Sequence, residues 1–298
     1  MKFSDYYGRG QTVISFELFP PKTEKGLSDL EGRLPKLISL QPSFITVTYG
    51  ALGSTRERTL EVVSKIKNDY GQEAVHHLTC VGSKQSDIEQ RLQEIREHNI
   101  ENIVALRGDP PQGTGEFRAS EGGYQFADQL VRHIRRFGGY GIAVAGYPEK
   151  HVEAPDIETD LQNLKRKVEA GADAVITQLF YENSHFYRFL ERCRALGIEV
   201  PIIPGLLPIL SVQQIKRITG LCGCTIPADL LQKLEKVADR PDEVAKVGVA
   251  HTAAQARDLL ESGVEGIHFY VLNQDFHIAE IMNALPRGHG RFSVSPST

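Results

Sequence analysis

No run of about 18 uninterrupted apolar residues occurs in the chain, which argues against a transmembrane helix. The opening Met-Lys-Phe-Ser-Asp-Tyr-Tyr-Gly lacks the apolar core that a signal peptide needs. Cysteine is scarce. Cys80, Cys193, Cys222 and Cys224 form neither a disulfide framework nor the paired C-x-x-C spacing of a zinc site. Cys222 and Cys224 stand close enough to share a metal with other ligands, but two free thiols in a reducing compartment is the simpler reading, and cytoplasm is the expected location. Charge of one sign is not in excess either. A net charge of −4 gives no reason to expect a nucleic-acid or membrane-surface partner.

Several motifs are also missing. No G-x-G-x-x-G follows an apolar run, which disfavours a Rossmann domain, and no G-x-x-x-x-G-K-[ST] offers a triphosphate loop. H-E-x-x-H and G-x-S-x-G are absent. No lysine ends an apolar run, which weakens Schiff-base chemistry. No Pro/Ser/Gly linker divides the middle of the 298 residues. A rule of ~150 residues per domain would give two domains, but α/β barrels commonly fill ~250 as one. One domain over 1–298 is therefore expected, with a core at about 12–285 and a flexible Gly/Ser/Pro-rich tail at 286–298.

What the chain does have is a repeated pattern. Eight short apolar runs, 12–19, 44–49, 74–80, 102–107, 141–147, 174–180, 201–207 and 266–273, each precede a helix-like stretch. The helical spacings fall at 24–40, 56–68, 86–98, 124–137, 157–170 and 184–196. Further pieces lie at 211–222, 227–238 and 241–262, and a last one at 275–285. Strands alternating with helices read as βα units on a parallel sheet. Eight units predict an α/β fold: a single (βα)8 TIM-like barrel with an extra helix after the seventh strand. Chemistry in such barrels sits at the C-terminal strand ends. There the sequence places Glu17, Thr48, Tyr49, His77, Arg107, Asp109, Tyr147, Gln178 and Asn273.

Glu17 shares a strand face with Ser15 and Phe19. A carboxylate among Phe and Leu loses hydration, which raises its pKa and suits a general acid. The alternative is an ion pair with Lys or Arg across the barrel. Arg107-Gly108-Asp109 offers a planar cation for a phosphate, a residue that lets backbone approach a ligand, and an acceptor for heterocycle N–H groups. An internal Arg–Asp pair is the alternative, and a cell-adhesion tripeptide carries little weight without a secretion signal. His76 and His77 are adjacent in a strand, so one lines the mouth and the other packs toward the helices. Tyr147 and His151 follow the fifth run. Asp160, Asn163 and Lys167 then share one helix face, which is either simply solvated or clasps a ribose and phosphates. Gln178 is an amide in an apolar run, to be satisfied by a ligand or by backbone.

Taken in order, the stretches Ser15-Phe16-Glu17-Leu18-Phe19-Pro20-Pro21-Lys22, Val47-Thr48-Tyr49-Gly50-Ala51, His77-Leu78-Thr79-Cys80, Ala105-Leu106-Arg107-Gly108-Asp109-Pro110, Tyr147-Pro148-Glu149 with His151, Ile176-Thr177-Gln178-Leu179-Phe180, Ile203-Pro204-Gly205 and His268-Phe269-Tyr270 with Leu272-Asn273 resemble methylenetetrahydrofolate reductases over about residues 12–285. The resemblance implies a βα barrel that holds FAD without a covalent bond. NADH or NADPH would give it a hydride, and 5,10-methylenetetrahydrofolate would take that hydride in a ping-pong scheme, leaving as 5-methyltetrahydrofolate. It implies Glu17 as the acid that opens the folate's methylene bridge and Asp109 as the group that tunes flavin and folate. Thr48, Tyr49, Ala51, His77, Arg107, Gly108, Asp109, Ala127, Tyr147, His151, Asp160, Asn163, Arg166 and Lys167 match flavin-binding positions. Gln178 matches a residue serving nicotinamide and folate in turn, Gln214 matches a folate contact, and Tyr270 and Gln274 lie in the matching substrate stretch. A homo-oligomer is implied, and no metal.

The chain departs from the pattern at Gln274, where the family is usually basic, at Ile218, where some members carry an aromatic, and at Val152, where Pro is common. These departures keep open a related flavin barrel with another acceptor. A non-catalytic folate- or flavin-binding subunit is the third reading, and an acid in an apolar strand argues against it. A C-terminal regulatory domain of the eukaryotic kind, and control by S-adenosylmethionine through it, is not expected.

Overall fold

Each apolar run supplies parallel strand. The computed structural model describes residues 1–49, 56–109 and 117–285. Its strands are β1 (Val13–Leu18), β2 (Phe44–Val47), β3 (Ala74–Thr79), β4 (Asn102–Leu106), β5 (Gly141–Gly146), β6 (Ala174–Thr177), β7 (Ile202–Ile203), β8 (Gly205–Leu206) and β9 (Gly266–Tyr270). Its helices are α1 (Phe3–Tyr6), α2 (Glu24–Ser39), α3 (Arg56–Asn68), α4 (Gln85–Glu97), α5 (Ala127–Phe137), α6 (Ile157–Glu169), α7 (Asn183–Ala195), α8 (Val212–Cys222), α9 (Ala228–Glu235), α10 (Pro241–Glu261) and α11 (Phe276–Ala284). The expected flexibility of 286–298, and Ala51 with it, fall outside the described residues.

All pairings are parallel, in the order β7-β6-β5-β4-β3-β2-β1-β9-β8. The edge strands β7 and β8 are two halves of the seventh run, divided by Pro204. Proline has no N–H to give a ladder, so pairing lapses there. Its carbonyl still accepts from the His268 backbone N–H at 2.9 Å. β7 pairs with β6 and β8 with β9, so the sheet returns on itself as a nearly closed barrel. Between β8 and β9 run α8, α9 and α10, the extra helical material expected after the seventh strand.

Strand alternation sorts the side chains. Phe16, Leu18, Ile45 and Val47 face outward and pack with Leu30, Leu34 and Leu37 of α2 in the main core. Inside the barrel the polarity changes along the axis. Near the N-terminal strand ends, Val13, Phe44, Val75, Val104, Ala143, Ala174 and Ile203 form an apolar plug with Phe3, Tyr6 and Tyr7. One or two positions further along, the interior becomes Ser15, Glu17, Thr46, His77 and His268. The fold thus seals one end with hydrocarbon and concentrates polar groups at the other. No described helix is long and apolar enough to cross a membrane.

Candidate active site

A cavity of about 600 Å³ opens at the C-terminal strand ends, and Glu17 lies in its wall. Glu17 Oε2 is 3.2 Å from His268 Nε2, 3.3 Å from His77 Nε2 and 3.4 Å from Thr46 Oγ1. Register explains the cluster, since Glu17 is aligned with Thr46 on β2 and with Tyr270 on β9. His268 is fully buried, and its Nδ1 is 2.8 Å from Ser15 Oγ. Hydroxyl, imidazole and carboxylate therefore form a continuous chain. The raised pKa expected for Glu17 is not found. Burial does push the carboxyl up, but the nearby His77 and the hydrogen bond from His268 outweigh it, and the group is held at about 2. The partner expected as Lys or Arg is a pair of histidines.

On β2, Thr48 and Tyr49 line the cavity, and the Tyr49 ring meets the buried His76 edge-on at 6.0 Å. His76 faces away from the cavity and His77 faces into it, the split expected of neighbours in a strand. Thr79 also lines the cavity, and its buried hydroxyl has no hydrogen-bond partner among the described residues. Just past β4, the alternative Arg107–Asp109 pair gives way to another. Both guanidinium nitrogens of Arg107 bond Glu153 at 2.6 Å, and the cation lies 4.8 Å from the Phe117 ring centroid. Asp109 is left exposed at the rim. Gly108 has φ +89, and a Cβ there would come within 2.6 Å of Val81 Cγ1, so glycine is required on both counts.

The opposite wall comes from β5 and α6. Tyr147 and His151 pack edge to face at 4.6 Å, and the His151 N–H donates to Asp160 Oδ2 at 3.0 Å. Asp156 caps α6 by accepting from the Thr159 N–H, and this aims Asp160, Asn163 and Lys167 into the cavity. Arg166 follows them at the edge, bonded to Asn163. Lys167 donates to the Ala145 carbonyl, lies 5.8 Å from the Tyr147 ring, and is lowered by burial to about 8. Ala127, the first residue of α5, presents a helix N-terminus to the cavity. Gln178 enters from the end of β6, its Oε1 accepting from the Leu179 N–H at 3.0 Å. Tyr270 enters from β9 and donates to the Thr177 carbonyl at 2.7 Å.

The cavity thus gathers Glu17, Thr48, Tyr49, His77, Arg107, Gly108, Asp109, Ala127, Tyr147, His151, Asp160, Asn163, Arg166, Lys167, Gln178 and Tyr270. Gln214, exposed on the first turn of α8, and Gln274, half-buried past β9, are not among its lining residues. Sequence reasoning missed Glu153, Thr79 and Phe126. Glu153 lies two positions past His151 between Val152 and Ala154, and nothing in its spacing signals an arginine partner from another loop. The arrangement can seat an elongated, anionic, partly aromatic ligand: cations and a helix N-terminus for charge, rings for stacking, and a carboxylate between imidazoles for proton work.

Comparison with known proteins agrees. The chain is 43% identical over 278 residues to methylenetetrahydrofolate reductase (NADH) 1 of Arabidopsis thaliana, covering 90% of this chain and 47% of that protein. It is 38% identical over 266 residues to 5,10-methylenetetrahydrofolate reductase of Escherichia coli K12, covering 89% of this chain and 88% of that one. The chain therefore spans about half the length of its plant relatives. A Clostridium thermocellum protein described as binding two copies of 5-methyl-5,6,7,8-tetrahydrofolic acid has the same fold, with a TM-score of 0.64 at 16% identity over 93% of this chain and 94% of that one. The family model for methylenetetrahydrofolate reductase matches residues 2–286, and the chain belongs to that family.

Proposed function

We propose that this chain catalyses the reduction of 5,10-methylenetetrahydrofolate to 5-methyltetrahydrofolate by NADH or NADPH through a non-covalently held FAD, with the two substrates using one site in turn. The observation that carries the reading is Glu17, a carboxylate set between two imidazoles in the wall of a cavity with a cationic rim. Family membership supports it, as does the folate bound by a protein of the same fold.

The residues present fit such a cofactor. Arg107, Lys167 and the α5 N-terminus suit a diphosphate, Asp160 and Asn163 suit sugar hydroxyls, and the unpartnered Thr79 hydroxyl suits a heterocycle edge. When bound, the flavin supplies the hydride carrier. The chain supplies position and a proton. In the free site Glu17 is an anion. A ligand bound in the cavity would exclude water from it and strengthen the burial effect that already pushes its carboxyl up. Glu17, once protonated, would pass its proton to the folate nitrogen whose bond to the methylene bridge opens, while His268 and His77 hold the carboxyl in place. Ser15 holds the far side of the His268 ring and fixes its orientation. Gln178, which both donates and accepts, serves nicotinamide amide and pterin alike.

Glu17→Gln tests the assignment, because it keeps the shape and removes the proton. NAD(P)H should still bleach the flavin, while reoxidation by methylenetetrahydrofolate falls by roughly 10²–10⁴-fold. Unchanged reoxidation would remove Glu17 from the proton pathway.

A further inference from the structure

Cys222 and Cys224 lie beside the cavity, outside its lining, and the reduction just described uses neither. Cys222 is the last residue of α8, and Gly223 follows with φ 71. This left-handed residue turns the chain between the two cysteines, which stand one residue apart. The turn is gripped from two sides. Thr225 donates to Glu149 Oε2 from its N–H at 3.0 Å and from its hydroxyl at 2.5 Å. A Cβ on Gly223 would stand 2.8 Å from Val152 Cγ1. On the other side the Cys224 thiol donates to the Leu179 carbonyl at 3.1 Å, one residue from Gln178 in the cavity wall. Cys222 lies within electrostatic reach of Asp109, Tyr147 and Tyr270, which all line the cavity.

The four cysteines divide into two kinds. Cys80 and Cys193 are fully buried, and burial pushes both thiols up to about 12. Cys222 and Cys224 are half-buried and reachable. The neighbouring sulfur holds Cys222 below its ordinary range and pushes Cys224 up. One thiol is thus prepared to attack and its neighbour to resolve.

We propose that Cys222 and Cys224 form a reversible disulfide beside the cavity, made by exchange with a small-molecule disulfide. The Cys222 thiolate attacks one sulfur of that molecule, forms a mixed disulfide and expels one small thiolate. Cys224 then loses its proton, and its sulfur attacks Cys222 Sγ. The protein S–S bond forms as the second small thiolate leaves. Two protein thiols are oxidised, and the two electrons leave in two small thiols. Once oxidised, Cys224 no longer donates to the Leu179 carbonyl, and the strand end carrying Gln178 loses that tether. The modification needs only the thiol geometry; its effect on turnover rests on the proposed folate reading.

The full-length protein incubated in mixtures of reduced and oxidised glutathione should yield a peptide containing both residues that is lighter by two hydrogen atoms. Dithiothreitol should reverse this, Cys222→Ser or Cys224→Ser should prevent it, and phenylarsine oxide, which bridges paired thiols, should block it. Two thiols that stay separately alkylable, or carry only glutathione adducts, would overturn the proposal. In the oxidised protein, reoxidation of the flavin by methylenetetrahydrofolate should slow by roughly three- to tenfold, the range of one ordinary hydrogen bond, and recover on reduction. A disulfide that forms without changing this rate overturns the coupling to the cavity. If folate reoxidises the flavin in neither state, the folate reading fails and the mass measurement still decides the thiol chemistry.

Discussion

At the scale of single residues, the rim cations are constrained by the chain's own groups. Arg107 is gripped at two points by Glu153, whose side chain is 46% exposed against 19% for the arginine. Any phosphate that takes this guanidinium must displace that carboxylate. Glu153→Gln removes the competing charge and keeps the shape. Exposed ion pairs are worth up to about 1 kcal/mol, so FAD should bind the apoprotein up to about fivefold more tightly, measured by quenching of flavin fluorescence. Weaker binding would mean that Glu153 itself holds the ligand. Lys167 makes a second prediction. Burial lowers its ammonium to about 8, so its charge is present below that pH and lost above it. Affinity for the anionic cofactor should decline as pH rises through about 8, and Lys167→Met should flatten that decline. An unchanged profile in the variant would place the titrating group elsewhere.

Among the elements, those with strong periodicity were legible from sequence, and those defined by contact were not. The helices from α2 to α11 fall within a few residues of the apolar spacing, because each buries one stripe against the sheet. The seventh strand reads as one run, yet Pro204 divides it, since a missing N–H matters only once a neighbour's carbonyl is in place. α1 gave no signal. Four residues show no period, and Phe3 and Tyr6 take their meaning from Phe44, with ring centroids 5.5 and 5.2 Å away. The Phe3 N–H donates to Asn102 Oδ1, and the Asn102 amide donates to the Met1 carbonyl, so the plug is fastened to the start of β4. Phe3→Ala opens a void at the sealed end and should cost about 3–5 kcal/mol, read as a lower urea midpoint with unchanged slope. A loss under about 1 kcal/mol would mean that α1 merely rests against the barrel.

Across the whole molecule, a single gradient joins fold to site, with hydrocarbon at one end of the barrel interior and ionisable groups at the other. The strand-end residues were legible because a parallel barrel collects them at one rim. Their pairings were not, because Glu17 with two histidines and Arg107 with Glu153 depend on register and loop path rather than on spacing. His76 shows the cost of threading imidazoles through such a sheet. It is fully buried, neither ring nitrogen has a hydrogen-bond partner among the described residues, and burial holds it down to about 3 from an ordinary 6.5. The native state keeps the ring neutral, while the unfolded chain takes up a proton below about 6.5. His76 therefore costs no ionisation energy above that pH, and stability falls as pH drops from 6.5 toward 3, by up to about 1.4 kcal/mol per pH unit. Glu17 acts in a lower window, between its ordinary 4.5 and about 2, so above 4.5 the His76 effect is free of it. His133, His151 and His251 are also lowered by burial and add to the upper slope in every variant. His76→Leu should leave stability near pH 7.5 within about 1.5 kcal/mol of the parent and make the decline between pH 6.5 and 4.5 shallower by about one proton's worth. Urea unfolding across that range decides the matter, because a variant as acid-sensitive as the parent would mean that the ring is solvated or already charged in the native protein.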